Sequence, residues 1–319
     1  MRILVSGASG LIGSALVPAL ESSGHEVLRL VRREPRHRTE IPWDPAGGDL
    51  EASRLTGLGA VVHLAGENIG ASRWTEARKR AIRDSRIRGT ELLSDRLARL
   101  DRPPQVMVSA SAIGYYGDRG EESLDEASTA GRGFLAELAR QWEAASRSAE
   151  ARGVRVVHLR NGLVLTARGG VLARLLPIFR LGLGGPIGAG RAWWSWIAID
   201  DLLDAIQFAI GDERLRGAVN GVAPQPLTNA EFTRTLGRVL GRPTWFRVPE
   251  VVLRLTFGEM AEQALLASAR VFPGRLTQAG FSFRYPRLEA ALRHLLASSD
   301  KAAARQDAAT RTPDRLGRR

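Results

Sequence analysis

The chain has 319 residues, of which 44% are hydrophobic and none is cysteine, and it carries a formal net charge of +12. This length supports a large apolar core, whereas the lack of cysteine excludes disulfides, thiolate catalysis and sulfur-based metal sites. The basic residues are mostly arginines interleaved with acidic residues along predicted helices, which indicates a solvated surface, and we expect no nucleic-acid partner and no metal site.

Strands alternate with helices through the first two thirds of the chain. Apolar runs predict strands at 2–6, 25–31, 59–66, 104–112, 154–165 and 217–223, and apolar residues at helical spacing predict helices at 11–24, 74–100, 134–152 and 201–211. This alternation indicates βαβ units, and therefore an α/β protein with a doubly wound parallel sheet, the Rossmann fold. The first strand follows Met1 directly and no run approaches the roughly 20 apolar residues of a membrane-spanning helix, so we expect a cytoplasmic location and no membrane partner.

The composition changes after residue 165. The segment 166–197 is rich in Gly and Trp, and later patterns predict helices at 228–240, at 249–271 with a break near Gly258, and close to residue 296. We therefore predict a Rossmann domain at 1–165 plus about 198–225, and a smaller C-terminal α+β substrate lobe at 166–197 plus 226–296. Residues 297–319 carry six basic and three acidic side chains with few bulky apolar ones, and we predict that they form a disordered basic tail.

Glycines recur every third residue in the turn after the first predicted strand, at Gly7, Gly10 and Gly13. The first permits a tight turn, the second lets the backbone approach a pyrophosphate, and the third lets the following helix pack on the strand with its N-terminus facing the anion. The pattern predicts a dinucleotide site that contacts its cofactor through Gly7, Ser9, Gly10, Leu11, Ile12 and Gly13.

The second predicted strand ends in Arg32 and Arg33, at the point where an NAD site carries an acidic residue. A carboxylate there would repel a 2′-phosphate, whereas a guanidinium binds it with forked, charge-assisted hydrogen bonds. The predicted cofactor is therefore NADP(H). Two surface arginines that merely follow a strand are the alternative.

Three further segments, at 63–66, 108–116 and 196–201, lie at predicted strand ends or at the return into the sheet. Together with the glycine turn they resemble the extended short-chain dehydrogenase/reductase superfamily of nucleotide-sugar epimerases and dehydratases, over residues 1–296. The stretches SAIGYYGDRG, GLGGPIGAGRAWWSWI and FGEMAEQALLASARVFPGRL resemble an atypical subgroup labelled "epimerase family protein", which has its own C-terminal domain of unknown role. The resemblance implies cofactor contacts at Leu64, Ala65, Gly66 and Ser109, and a homodimer through two helices is common in the superfamily.

In that superfamily a Tyr-x-x-x-Lys pair on a helix transfers the proton, because the lysine lowers the pKa of the tyrosine. This chain has lysines only at positions 79 and 301, and the residues four positions earlier are Thr and Ala, so the pair is absent. On the expected helix its places are taken by Leu135 and Ala139, or by Phe134 and Leu138. None of these side chains can transfer a proton.

The remaining candidates for proton transfer follow the strand predicted at 104–112. Ser111 resembles the superfamily's substrate-binding hydroxyl, and Tyr115 and Tyr116 come directly after it, at the carboxyl end of a parallel strand where α/β sheets bind ligands. We predict these three as catalytic residues. In the alternative, one tyrosine packs in the core, the other forms an aromatic wall of the pocket, and Lys79 is solvated rather than beside a phenol.

Asn161, Trp194 and Trp196 are the predicted substrate-pocket residues. Asn161 ends a predicted strand at the same sheet edge, and the tryptophans offer rigid aromatic area to a flat ligand or a sugar face. Core packing of the tryptophans is equally compatible with the sequence. The pair Asp200 and Asp201 precedes a predicted helix and is interpreted as N-cap and first-turn charge.

The sequence therefore predicts an NADP(H)-dependent oxidoreductase or epimerase-like enzyme that acts on a small polar substrate between the sheet edge and the C-terminal lobe. The missing acid/base pair favours a second hypothesis, an NADP(H)-binding sensor or regulatory protein with little or no turnover. The Gly- and Trp-rich segment favours the enzyme.

Overall fold

The computed structural model describes residues 1–298. Its strands are β1 (Arg2–Ser6), β2 (Glu26–Val31), β3 (Glu40–Pro42), β4 (Ala60–His63), β5 (Val106–Ala112), β6 (Ser123–Leu124), β7 (Arg155–Asn161), β8 (Leu163–Leu165), β9 (Trp193–Trp194), β10 (Trp196–Ala198), β11 (Gly217–Gly221), β12 (Leu227–Thr228) and β13 (Arg270–Val271). Its α-helices are α1 (Gly13–Ser22), α2 (Glu76–Ala98), α3 (Phe134–Ala144), α4 (Arg147–Ala151), α5 (Gly170–Arg180), α6 (Ile199–Gly211), α7 (Asn229–Leu240), α8 (Glu250–Phe257), α9 (Gly274–Gln278) and α10 (288–298). The predicted basic tail lies outside the described residues, apart from its first two positions, which continue α10.

The central sheet has seven strands in the order β11-β7-β5-β4-β1-β2-β3. Every neighbouring pair in it is parallel. The strand order reverses between β1 and β4, so the carboxyl ends of these two strands open the crevice in which doubly wound sheets bind ligands. The predicted α/β fold class with a Rossmann sheet is confirmed.

Apolar layers cover both faces of the sheet. On one face α1 and α6 pack against the sheet through Leu16, Leu20, Leu202 and Ile206, all fully buried. On the other face α2 and α4 contribute Leu93, Leu97 and Ala149. Burial on both faces explains the continuous apolar runs of the parallel strands.

Several predicted elements have different bounds in the structure. The helix predicted at 134–152 is split into α3 and α4, and the helix predicted at 249–271 is α8, a π-helical turn at Ala261–Leu265 and the strand β13. The split after α8 falls at Gly258, whose φ of +59° is incompatible with a continuing helix. Strand β3 was not predicted, because three residues ending in Pro42 give too short a pattern to read.

The C-terminal segments are attached to the sheet by a buried carboxylate. Asp201, in the first turn of α6 as expected, is fully buried and accepts hydrogen bonds from the backbone N–H groups of Arg284 (2.7 Å) and Tyr285 (3.0 Å). A separate apolar cluster fills the space between α5, α7 and α10. The division into two domains stays a prediction. No helix within residues 1–298 combines the length and apolar character needed to cross a membrane.

Candidate dinucleotide site and strand-end polar network

The glycine turn joins β1 to α1 so tightly that positions 7 and 13 have no room for a β-carbon. Gly7 has a φ of +67°, and a β-carbon there would lie 2.7 Å from the carbonyl carbon of Leu64. A β-carbon at Gly13 would overlap the carbonyl oxygen of Gly7, which also accepts the N–H of Gly10 at 2.9 Å. The N–H of Ser14 donates to the carbonyl of Gly10 at 2.9 Å, and the N-terminal end of α1 lies at the cleft, where the helix dipole favours an anion. The turn therefore has the form of an anion cradle.

A cleft of about 1110 Å³ extends from this turn along the ends of β2 and β4. It is wide enough for the adenosine and pyrophosphate parts of a dinucleotide. Trp43 and Glu40, which the sequence did not indicate, line it as well. The predicted cofactor-binding residues that line it are Gly7, Ser9, Gly10, Arg32, Arg33, Leu64, Ala65 and Gly66.

The two arginines after β2 differ in their contacts, because only Arg33 is paired with another side chain. Arg33 donates two hydrogen bonds to Glu40, at 2.9 and 2.6 Å, and these bonds lower the pKa of Glu40 to about 2. Arg32 is exposed and makes no hydrogen bond or ion pair with any residue in 1–298. Arg33 therefore neutralises a carboxylate inside the cleft, whereas Arg32 lines the cleft without a partner among the described residues.

A buried polar network supports the floor of the cleft. The side chain of Ser6 accepts the N–H groups of Leu64 (3.1 Å) and Ala65 (3.2 Å), so its own proton is donated to Nδ1 of His63 at 2.7 Å. Nε2 of His63 in turn donates to Thr90 Oγ1 at 3.0 Å, because the proton of Thr90 goes to a main-chain carbonyl of α2. His63 is fully buried, and burial lowers its pKa to about 4, which keeps the ring neutral. Polar residues at the ends of two apolar strands were the sequence signal for this network.

A second network joins the carboxyl ends of β5, β7 and β11. Ser111 donates to Glu143 of α3 at 2.7 Å, and Glu143 accepts two hydrogen bonds from Arg160, both at 2.8 Å. Glu143 lies one helical turn beyond Ala139, so α3 presents a carboxylate next to the place where the superfamily carries its lysine. Glu143 and Arg160 were not predicted from the sequence, because the order of the strands, and no local pattern, brings them together.

The two adjacent tyrosines have opposite environments. Tyr116 is fully buried, its hydroxyl donates to Asn220 at 2.8 Å and accepts from Arg160 at 3.0 Å, and burial raises its pKa to about 12. Tyr115 is half-buried, and Arg160 lies over its ring, 3.4 Å from the centroid. The geometry does not favour Tyr116 as a proton donor, because its hydroxyl has no access to a substrate.

Three other predicted residues lie away from the cleft surface. Ser109 is 1% exposed inside the sheet, next to His63 in the register of β4 and β5. Trp194 packs on Phe232 with ring centroids 5.2 Å apart, and Trp196 is fully buried with its indole N–H donated to a main-chain carbonyl. The tryptophans therefore belong to the core, which corrects the pocket-wall interpretation. Core packing prevails because both side chains point into the cluster between α5 and α7.

Asn161 does lie at the predicted sheet edge. It ends β7, is half-buried, and its side-chain oxygen is buried without a hydrogen-bond partner within residues 1–298. A buried acceptor without a partner is costly, so a ligand that donates to it would be favoured. Its role in substrate binding stays a prediction.

The C-terminal region packs on the start of α3, where the superfamily's catalytic pair would begin. Gln263 accepts the backbone N–H of Leu135 at 3.0 Å, and Met260 packs beside Leu138. Lys79 forms ion pairs with Glu76 (2.7 Å) and Glu259 (2.9 Å), so it is bound to this region and not to a phenol. Within residues 1–298, no group of His, Asp or Glu side chains is arranged to hold a metal ion.

A glycine cradle at the reversal point of a seven-stranded parallel sheet defines a Rossmann-fold protein of the dinucleotide-binding class. The family model described as "NAD dependent epimerase/dehydratase family" matches residues 3–220, and the chain belongs to this family. A second model, "Domain of unknown function (DUF1731)", matches residues 248–295. The resemblance drawn from the sequence is confirmed.

Similar proteins cover nearly the whole chain. An epimerase family protein of Mycobacterium bovis is 46% identical over 290 residues, 91% of this chain and 96% of its own. The human epimerase family protein SDR39U1 is 39% identical over 300 residues, 93% of this chain and 100% of its own. A crystal structure of human SDR39U1 (isoform 2) with NADPH superposes with a TM-score of 0.84 at 36% identity, covering 92% of this chain and 99% of that one.

Proposed function

We propose that the protein is an NADP(H)-dependent oxidoreductase or epimerase-like enzyme that acts on a small polar substrate at the carboxyl edge of the sheet. The observation that carries the cofactor assignment is the arginine pair, since Arg33 neutralises Glu40 and leaves Arg32 unpaired at the cleft. The human relative in complex with NADPH supports the same choice. The glycine turn suits a pyrophosphate, because Gly7 and Gly10 line the cleft without side chains and the N-terminus of α1 favours an anion there.

The bound cofactor supplies hydride transfer, and the chain's own residues supply orientation and a proton. Tyr115 is the better proton donor of the tyrosine pair, because its hydroxyl makes no hydrogen bond within residues 1–298 and Arg160 fixes its ring. Ser111 is 3% exposed and donates its proton to Glu143, so it fixes this carboxylate near the end of β5. This arrangement suits a substrate hydroxyl at the end of β5.

Isothermal calorimetry with NADPH and NADH tests the cofactor assignment. We expect the chain to prefer NADPH, and Arg32→Ala to reduce that preference roughly tenfold to a hundredfold, the usual loss for a charge-assisted hydrogen bond. Arg38→Ala is the matched control, because Arg38 is exposed in the same loop but does not line the cleft. Equal affinities of the unaltered chain for the two cofactors would refute the assignment.

A second candidate function is an NADP(H) sensor with little turnover. It is favoured by Leu135 and Ala139 in the catalytic slots and by the contact of Gln263 with the start of α3, which links the cofactor domain to the C-terminal region. A sensor would bind NADPH but would oxidise none of it with any carbonyl substrate offered. On binding, amide hydrogen exchange in residues 257–265 would become slower. An enzyme would show steady NADPH consumption with at least one substrate.

A further inference from the structure

Exposed apolar side chains are concentrated on one part of the C-terminal region. Of the ten large hydrophobic residues exposed within residues 1–298, eight lie in three short segments and two elsewhere, at Met1 and Leu11. We call these eight the apolar surface: Ile178, Leu181, Leu183, Trp245, Phe246, Val251, Val252 and Leu255. Such a concentration is unusual for a monomeric soluble protein and marks an interaction site.

Backbone contacts place the three segments side by side. The N–H of Val248 donates to the carbonyl of Pro186, and the N–H of Gly188 donates to the carbonyl of Val248, both at 2.9 Å. A β-carbon on Gly185 would overlap the carbonyl of Phe246, and one on Gly182 would lie 3.7 Å from the ring of Pro243. The loop after α5 and the loop before α8 therefore form one continuous face.

Helix α8 continues this face, and its last residue, Phe257, packs against the cluster that contains Trp74 and Met260. None of its residues is buried, yet it carries Val251, Val252 and Leu255. The charged residues of α8 are paired: Arg254 forms an ion pair with Glu250 at 3.4 Å and lies 3.8 Å from Glu262, which follows the helix. An amphipathic helix whose apolar side faces solvent is typical of a segment that lies on another apolar phase.

The charge next to the apolar surface is positive. Arg242 and Arg247 flank Trp245 and Phe246, are exposed, and make no side-chain hydrogen bond or ion pair within residues 1–298. The stretch 151–199, which contributes the loop after α5, has no acidic residue. In a two-fold dimer the same surface would meet itself, so Arg242 and Arg247 of both copies would gather at one interface, which disfavours self-association.

We propose that the apolar surface binds peripherally to anionic lipid membranes. Tryptophan and phenylalanine at a loop tip insert at the level of the headgroups, and neighbouring arginines are attracted by the negative surface potential of anionic lipids. The sequence-based expectation of no membrane partner rested on the lack of a spanning run, and peripheral binding needs no such run. The proposal does not depend on the chemistry of the cleft.

Vesicle sedimentation with the full chain tests this proposal. We expect binding to vesicles of phosphatidylcholine containing about one third phosphatidylserine, weak binding to phosphatidylcholine alone, and weakening with added salt. The double variant Trp245→Ala, Phe246→Ala should lower the partition coefficient on the order of tenfold or more, because both rings leave the interface. Arg242→Gln with Arg247→Gln should lower binding to the anionic vesicles roughly tenfold and leave the neutral vesicles unaffected.

The matched control is Arg99→Gln with Arg102→Gln, two exposed arginines just before β5, at the amino end of the sheet. It removes the same charge and should bind anionic vesicles like the unaltered chain. Circular dichroism and thermal melting of each variant verify that it is folded. Absent binding to anionic vesicles, or binding that both surface variants leave unchanged, overturns the proposal. Dimerisation in sedimentation velocity that Trp245→Ala, Phe246→Ala abolishes, without vesicle binding, assigns the surface to a second copy instead.

Discussion

At the scale of single residues, two side chains of the same type can be adjacent in the sequence and still make different contacts. Arg33 is held by Glu40 while Arg32 is not, and Tyr116 is enclosed by Arg160 and Asn220 while Tyr115 reaches the sheet edge. A buried hydroxyl with two partners contributes to stability, whereas a hydroxyl without partners is left for a ligand. In each pair, one residue therefore stabilises the fold and the other is left available to a ligand.

Substitution of the two tyrosines should affect two different properties: stability for Tyr116 and turnover for Tyr115. Tyr116→Phe should lower the free energy of unfolding by about 1–3 kcal/mol, because Arg160 and Asn220 lose a buried partner. Tyr115→Phe should be close to neutral in stability and should slow NADPH-dependent turnover at least about a hundredfold if Tyr115 is the proton donor. Urea denaturation and steady-state kinetics measure the two effects. Unchanged turnover in Tyr115→Phe would exclude Tyr115 as the acid.

His63 gives a prediction about acid stability. Its pKa is lowered by burial from 6.5 to about 4, so the unfolded chain takes up a proton below pH 6.5 that the folded chain refuses until about pH 4. Stability contributed by the neutral ring is therefore present above pH 6.5 and is lost as the pH falls to about 4, by roughly 3 kcal/mol in total.

Urea denaturation at pH values between about 7 and 4 measures this loss. Carboxylates held by arginines, such as Glu40 with a pKa of about 2, lose their contribution at lower pH than His63 does. His63→Gln removes the titrating group and should be less stable at neutral pH but flatter across this window. The same slope in both chains would show that another group is responsible.

At the scale of elements, the β1–α1 turn matches the pattern of the superfamily that the sequence resembles, whereas helix α3 departs from it. The turn keeps its three glycines, and backbone contacts explain each of them. Helix α3 has no Tyr-x-x-x-Lys pair, since Leu135 and Ala139, or Phe134 and Leu138, stand at its places, and it carries Glu143 bonded to Ser111. The glycine turn thus matches the superfamily pattern, while the residues on α3 do not.

The close packing of the β1–α1 turn is tested by a substitution that adds one methyl group at position 13. Gly13→Ala should push the start of α1 away from Gly7, because its β-carbon would overlap a main-chain oxygen that cannot move freely. We expect NADPH affinity to fall at least about tenfold and stability to fall by about 1–3 kcal/mol, the usual cost of overpacking. Gly211→Ala, at the exposed end of α6 with open space around it, is the control; in calorimetry and denaturation it should leave NADPH affinity unchanged and should not lower stability, because alanine favours the helix more than glycine does.

At the scale of the whole molecule, the C-terminal region is joined to the sheet by polar contacts as well as apolar packing. Asp201 holds the backbone of 284–285, Glu126 accepts the N–H groups of Asn220 and Arg275, and Gln263 binds the start of α3. These contacts reach β11 at one edge of the sheet and the start of α3. A change in the C-terminal region therefore has a direct structural route to the strand ends.

Asp201 provides the test of this attachment. Asp201→Asn keeps the shape but turns one acceptor into a donor that faces an N–H group, so we expect a loss of about 2 kcal/mol in the free energy of unfolding. Asp204→Asn is the control, because Asp204 pairs with the exposed side chain of Arg284 and should cost less than about 1 kcal/mol. Equal losses in chemical denaturation would contradict a special role for Asp201.

The sequence alone determined the parallel sheet, the glycine turn, the arginines after β2 and the absence of the Tyr-x-x-x-Lys pair. These are local features, since strand and helix periodicity, turn glycines and a missing residue type are all visible within a few positions. Only the tertiary structure decided that Trp194 and Trp196 pack in the core, that Tyr116 is enclosed, and that Arg160, Glu143 and Ser111 meet. Those outcomes depend on contacts such as that of Tyr116 with Asn220, 104 residues away, which the order of strands brings together and no local pattern encodes.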